Sequence, residues 1–398
     1  MAEIAPPSLD DAKDNWLVYA DALQSAGDPR GELIILNQAV ADGSSAADRD
    51  AYLDRNADAI FGGLAQHRGA VEIDWKYCVP RCLTLDVGAK DNAAALMKAL
   101  LGSPLAAAMQ TLRVVAKTSL GDRIELGPAL SQLKQGLPRS CAELELVDER
   151  AKRSRIMSSS DYDPGRNLVD FGKLGALWAI PHLRRLHLWV ADTEQVDVGT
   201  IDAPELRDFS LLGLRWAEPY NGPTTLGEAL GAASWPKLQR LALRLPETFT
   251  YSWPEQDGAY VPVSRYEEEP AYDDYYDDEG WSEGANWRVE LGGMLQRLQD
   301  TALEQLSLTS FASPDNLLAA LDEHGLPPTL RVLDLSHSDV RDENLQWFLD
   351  HAEQLAKLER IDLSGTLVSD ASPLRELGPE IVHSSGEGAI HRFSVGME

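Results

Sequence analysis

Cysteine is scarce in this chain: Cys78, Cys82 and Cys141 are the three among 398 residues. An odd count in so long a chain builds no disulfide framework and fits a reducing compartment. Cys78 and Cys82 have a spacing that opens some zinc sites, but no second pair follows, so no metal is expected and the thiols read as small buried hydrophobes. Long apolar runs are also missing. Nothing approaches the ~20 residues that span a bilayer as a helix, and the opening Met-Ala-Glu-Ile-Ala-Pro-Pro lacks the basic region and apolar run of a signal peptide. A soluble, cytoplasmic chain without a membrane partner is expected. Cations are short as well: 36 Lys and Arg stand against 64 Asp and Glu, a net charge of −28. Such a field repels nucleic acid and favours a partner with a basic surface. Catalytic signatures are absent too. There is no Gly-x-Gly-x-x-Gly, Walker loop, Gly-x-Ser-x-Gly elbow or His-Glu-x-x-His, and the eight histidines are scattered. No cofactor and no catalytic residue is expected.

What the sequence does have is leucine at fixed spacing. Leu-x-x-Φ-x-Leu, with Φ apolar, occurs as Leu183-Leu186-Leu188, Leu206-Phe209-Leu211, Leu238-Leu241-Leu243, Leu303-Leu306-Leu308, Leu330-Leu333-Leu335 and Leu358-Ile361-Leu363. Successive first leucines lie 23, 32, 65, 27 and 28 residues apart; apart from the third, these steps are near the ~20–29-residue period of leucine-rich repeats. Positions four and six alternate like a short strand with one buried face. Pro181, Pro204, Pro236 and Pro328 stand two residues before the first leucine and mark where a helix has ended and a strand begins. Weaker units precede these, at Leu83 and Leu85, Leu112 and Val114, and Leu144 and Leu146, with Pro80, Met109 and Cys141 as first positions. Helix-favouring segments fall between strands at 93–101, 126–133, 226–233 and 342–354. The expectation is an α/β leucine-rich-repeat solenoid of about nine units over residues 79–377, with a parallel sheet on the concave face and helices on the convex face. A cap or tail follows at 378–398. The two last units align as Leu-Asp-Leu-Ser-His-Ser-Asp-Val and Ile-Asp-Leu-Ser-Gly-Thr-Leu-Val, ending at Val340 and Val368, and resemble bacterial leucine-rich repeats. In them Ser338 and Thr366 replace the asparagine common in such families.

Residues 1–75 read as a small all-α domain. Trp16, Leu17, Ala20 and Leu23 share a helical face, Gly27 ends that helix, and Asp28-Pro29 starts another that carries Leu33, Leu36 and Val40. Trp16, Tyr19, Ala20, Asp21, Leu23, Gly27, Asp28, Pro29, Arg30, Glu32 and Leu33 resemble the short repeat-companion domain found beside repeat arrays in myxobacteria and planctomycetes. The resemblance covers roughly 30 residues; it implies a companion to repeats and no reaction. Asp21, Arg30 and Glu32 are a possible site there, or a network holding two helices together.

The 65-residue step contains an acidic insertion at 246–287. Residues 265–283 hold nine carboxylates and five aromatics. Tyr266, Tyr272, Tyr275, Tyr276 and Trp281 offer rigid contact area, and the carboxylates select a basic partner; a solvated loop is the alternative. A calcium loop does not fit, because aligning Gly280 with the loop glycine puts Tyr275 and Asn286 where ligands are required.

On the exposed face of the sheet the repeat register places Arg185, His187, Trp189, Leu212, Arg240 and Arg244 on three adjacent units. Exposed Trp with Arg is interface chemistry, unless the acidic insertion neutralises these arginines in cis. The expectation is a non-catalytic scaffold or adaptor that recognises a protein through this face and the insertion. Two alternatives remain open: an acidic inhibitor or immunity-type protein that blocks a basic, nucleic-acid-binding site, and an unrecognised enzyme.

Overall fold

The computed structural model describes residues 7–117, 123–152, 168–191, 196–213, 224–245, 286–311 and 313–386, and the backbone of 255–256 and 259–260. The insertion residues Tyr266, Tyr272, Tyr275, Tyr276 and Trp281 lie outside these. Each leucine motif forms a strand. The main sheet consists of β1 (Val71–Lys76), β2 (Val79–Gly88), β3 (Thr111–Lys117), β5 (Glu143–Asp148), β7 (Arg185–Val190), β8 (Asp208–Gly213), β9 (Arg240–Arg244), β12 (Gln305–Thr309), β13 (Val332–Asp334), β14 (Arg360–Thr366) and β15 (Glu380–Ser385), side by side in that order. From β2 onward every neighbouring pair is parallel. Short pairs form apart from it, β4 (Arg123–Glu125) with β6 (Leu168–Asp170) and β10 (Glu255–Gln256) with β11 (Ala259–Tyr260).

The inward residues of successive strands are in register and buried. Leu83, Leu112, Leu144, Leu186, Phe209, Leu241, Leu306, Leu333 and Ile361 form one row of the core. Helices α5 (Ala93–Leu101), α6 (Gly127–Gly136), α7 (Gly175–Trp178), α8 (Thr225–Gly231), α9 (Trp287–Leu298), α10 (Pro314–His324), α11 (Leu345–Asp350) and α12 (Ala352–Leu355) cover that side. Pro181, Pro204, Pro236 and Pro328 each open the turn that leads into a strand, where a fixed φ and a missing N–H do no harm. The chain is an α/β leucine-rich-repeat solenoid.

Its ends differ from the sequence expectation. β15 adds a parallel strand beyond residue 377, in the segment expected as a cap or tail. At the other end, α1 (Lys13–Ser25), α2 (Arg30–Ala41), α3 (Ala47–Arg55) and α4 (Ala57–Phe61) are helical as expected, but 71–76 form β1, which runs antiparallel to β2. The turn between them is Tyr77-Cys78, with Tyr77 at φ 59°, a conformation disfavoured for a bulky residue. The N-terminal helices hold it there: Trp16 stacks on Tyr77 at 4.4 Å, and the Asn37 amide donates to the Tyr77 carbonyl. Leu33, Leu53, Ile60, Phe61 and Leu64 join the core of the repeats. The helical segment thus covers the first edge of the apolar core, which a terminal repeat must do in any solenoid.

Candidate functional site

The strand face turned away from the helices carries three rows of side chains, one residue per strand. The row nearest the strand starts runs Glu143, Arg185, Asp208, Arg240 across β5, β7, β8 and β9. Charges alternate along it. Arg185 Nη1 lies 3.4 Å from a Glu143 oxygen and Arg240 Nη1 lies 3.9 Å from Asp208. Arg185 and Arg240 therefore have carboxylate neighbours on the sheet itself, and their neutralisation needs no acidic insertion. Being exposed, these pairs contribute little stability.

The middle row runs Arg113, Glu145, His187, Ser210, Ala242. Arg113 Nε donates to Glu145 at 2.5 Å, and His187 Nδ1 lies 2.5 Å from Ser210 Oγ. Ser210 is 5% exposed, with its hydroxyl against the His187 ring. A Ser–His contact with a carboxylate next along the row has the residue types of a nucleophilic triad, but Ser210 is buried and Glu145 accepts from Arg113.

The third row runs Val115, Val147, Trp189, Leu212, Arg244. Trp189, Leu212 and Arg244 are half-buried and side by side. The structure thus brings the six expected residues of this face together on β7, β8 and β9, in two separate bands. Arg185 and Arg240 belong to the charged row; Trp189, Leu212 and Arg244 form a mostly apolar one at the opposite ends of the strands, with His187 between. The chain leaves β9 just after Arg244 to enter the insertion, and it returns at Asn286, whose side chain caps α9, and Trp287, which is fully buried. Trp287, placed in the insertion by sequence, is a core residue: an indole at the first turn of an amphipathic helix packs inward.

Among the described residues, three buried carboxylates carry no signal in the sequence, Asp339 after β13 among them. Asp148 occupies a core-facing position at the end of β5, 1% exposed, where Arg150 donates to it through Nε at 3.0 Å and Nη2 at 2.6 Å. Glu290 on α9, equally buried, accepts from the backbone N–H of Thr224 at 2.7 Å and from its hydroxyl, tying α9 to the start of α8. Charge runs elsewhere hide such residues in sequence, since burial is what distinguishes them.

The cysteines carry little nucleophilic character. Burial pushes the Cys78 thiol up to about 11 and Cys141 up to about 12, and it raises Cys82 as well; the reactive form is the thiolate. Among the described residues, no group of three or more His, Cys, Asp and Glu is placed to hold a metal ion, and no helix is long and apolar enough to cross a membrane. In the N-terminal helices Asp21, Arg30 and Glu32 do not converge. Arg30 pairs with Asp28 at 2.5 Å, Glu32 accepts from Gln24 at 2.6 Å, and Asp21 is exposed. Glu32 and Asp28, with Tyr52 and Arg55, line an open cleft of about 640 Å³.

No protein-family model and no curated protein matches this chain. Solved structures similar to it include a Bacteroides fragilis protein, 16% identical over 74% of this chain and 70% of that one, with a TM-score of 0.48. Internalin C2 of Listeria monocytogenes is 12% identical over 76% and 80%, with a TM-score of 0.26. A second Listeria monocytogenes internalin is 11% identical over 75% and 86%, with a TM-score of 0.22. The fold assignment rests on the chain's own strands and their register, and not on these likenesses.

Proposed function

We propose that this chain is a non-catalytic protein-binding scaffold, with its partner seated on the face formed by β7, β8 and β9. The observation that supports this reading is the row Trp189–Leu212–Arg244, half-buried and in register on adjacent strands, on the same face as a charged row that includes Arg185 and Arg240. A large aromatic and an aliphatic side chain next to Arg supply interface energy, and the alternating charges fix orientation. The acidic insertion, which departs beside Arg244, adds negative potential and the aromatic side chains Tyr266, Tyr272, Tyr275, Tyr276 and Trp281, and favours a partner with a basic surface. The N-terminal helices serve as companion and cap to the repeats and carry no reaction. The net charge of −28 supports a second reading, an inhibitor that occupies a basic site by charge alone.

Affinity capture in lysate of the native host tests the proposal, with the full chain, a Trp189→Ala/Arg240→Ala variant, and a chain in which 250–285 is replaced by a short linker that leaves the α9 cap Asn286 and the buried Trp287 in place. A specific protein retained by the full chain and lost from the double variant is the expected result. Retention by both altered chains would sink the site assignment. Salt separates the two readings, because charge-driven inhibition collapses between about 50 and 500 mM salt while a Trp- and Leu-centred interface persists.

A further inference from the structure

The rim at the start of the strands differs in charge from the rest of the molecule. It is formed by the residue preceding each strand, in the order Arg184, Arg207, Gln239, Glu304, Arg331, Glu359, each donating its N–H to the carbonyl of the one before, at 2.7–2.8 Å. Arg184 and Arg207 are therefore adjacent, their Cα atoms roughly 5 Å apart, and both are exposed. The carboxylates around them are engaged by other cations: Glu205 by Lys237 at 2.6 Å, Glu143 by Arg185, and Asp208 by Arg240. Further along, Arg331 pairs with Glu359. Among the described residues Arg184 and Arg207 have no ion-pair partner, in a chain that carries 64 carboxylates. Their field still reaches Glu205, whose carboxyl is held below its ordinary range by the Lys237 hydrogen bond and also by Arg207 and Arg184.

The geometry points to a docking site for a carboxylate-rich segment of a protein partner, gripped by the Arg184 and Arg207 guanidiniums. Two planar forks side by side suit carboxylates, each of which accepts two parallel N–H bonds. Nucleic acid fits less well. The cationic stretch covers two units only, and Glu304 and Glu359 follow on the same rim, so a phosphate backbone would run into repulsion where a short acidic loop ends. The site goes beyond the reading of the strand face, at whose other end Trp189 lies, five residues on from Arg184 and so about 17 Å along the strand. It also uses the end of the strands opposite the insertion. The helix-to-strand connections that form it, 137–142, 179–184, 203–207 and 232–239, lie entirely within the described residues.

The test is titration of a fluorescein-labelled hexaglutamate peptide with the full chain at low salt, followed by fluorescence anisotropy. Arg184→Glu/Arg207→Glu is compared with Lys90→Glu/Arg375→Glu, which makes the same charge change at exposed positions elsewhere. The rim pair is expected to weaken binding at least about tenfold, as loss of two charge-assisted contacts should, while the distant pair changes it less than about twofold. Equal losses in both variants would show bulk electrostatics and overturn the site. So would absence of peptide binding to the wild type, or tighter binding of a single-stranded RNA of equal charge. Circular dichroism checks the fold of each variant, and Arg184→Gln/Arg207→Gln takes the place of the charge reversal if that variant misfolds.

Discussion

Gly365 shows how one residue is fixed by its neighbours. It follows the second inward leucine of its unit by two positions, as His337 and Ser310 do in the preceding units, and all three have positive φ, 70°, 57° and 64°. The chain turns left-handed there to leave the strand, and the next residue, Phe311, Ser338 or Thr366, points back into the core with no exposed surface. The Ser338 and Thr366 hydroxyls donate to the carbonyls of Leu335 and Leu363, at 2.5 and 2.8 Å, so each closes its own turn where an asparagine is common. A Cβ on Gly365 would strike the His337 ring. Gly365→Ala is therefore expected to lower unfolding free energy by about 1–3 kcal/mol or more, measured by urea denaturation; an unchanged midpoint would contradict this geometry. The alignment of these two units was legible in sequence, but the turn was not, since Ser, His and Gly share no signature for positive φ.

A carboxylate in the same units allows a second residue-scale check. Burial alone would raise the Asp362 carboxyl, but hydrogen bonds from Ser364 and the Arg360 guanidinium, which donates at 2.5 Å, outweigh it and hold the group below its ordinary value. A depressed folded-state value means that the ionised group stabilises the fold above the unfolded value, near 4, and that this is lost as pH falls through the folded value. The stability gap between wild type and Asp362→Asn is thus expected to be full at pH 7 and to shrink below about pH 4. A gap that grows on acidification would reverse the sign and refute the assignment.

At the scale of elements, the N-terminal hairpin rests on contacts between segments distant in sequence. Val71, Ile73 and Trp75 alternate as a strand should, yet the turn that follows lacks the glycine or asparagine that announces a tight hairpin, so the sequence does not distinguish this strand from the helical segment before it. Trp16, 1% exposed, supplies what the turn lacks by stacking on Tyr77 and donating its indole N–H to Ser8 at 2.9 Å. Ala20 and Gly31 let α1 and α2 approach: a Cβ on Gly31 would come within 2.7 Å of the Ala20 carbonyl. Trp16→Ala is expected to cost about 3–5 kcal/mol and to speed amide exchange in β1 before the central strands, read by hydrogen exchange. Uniform acceleration through β14 would show instead that these helices are not a separate cap. The last strand lacks a sequence signal for a simpler reason: Glu-Ile-Val-His-Ser-Ser has no leucine spacing, and it is held by backbone pairing to β14, by Ile381 against the core and by Ser384 accepting from the Gly365 N–H.

For the whole molecule, leucine period and proline punctuation made the parallel sheet legible, because burial of one strand face imposes both. The site was legible only as a set of positions. That Trp189, Leu212 and Arg244 share one row follows from the repeat register; that Arg185 faces a carboxylate 42 residues earlier needs the strands laid side by side. The central claim, that this face binds a protein, is tested most directly by calorimetric titration of the captured partner with the full chain and with Trp189→Ala, at low and high salt. Loss of at least about 2 kcal/mol of binding, near thirtyfold in Kd, is the expected result for a buried aromatic anchor, with the wild-type affinity largely kept at high salt. Unchanged affinity in Trp189→Ala, together with binding abolished by salt, would contradict it.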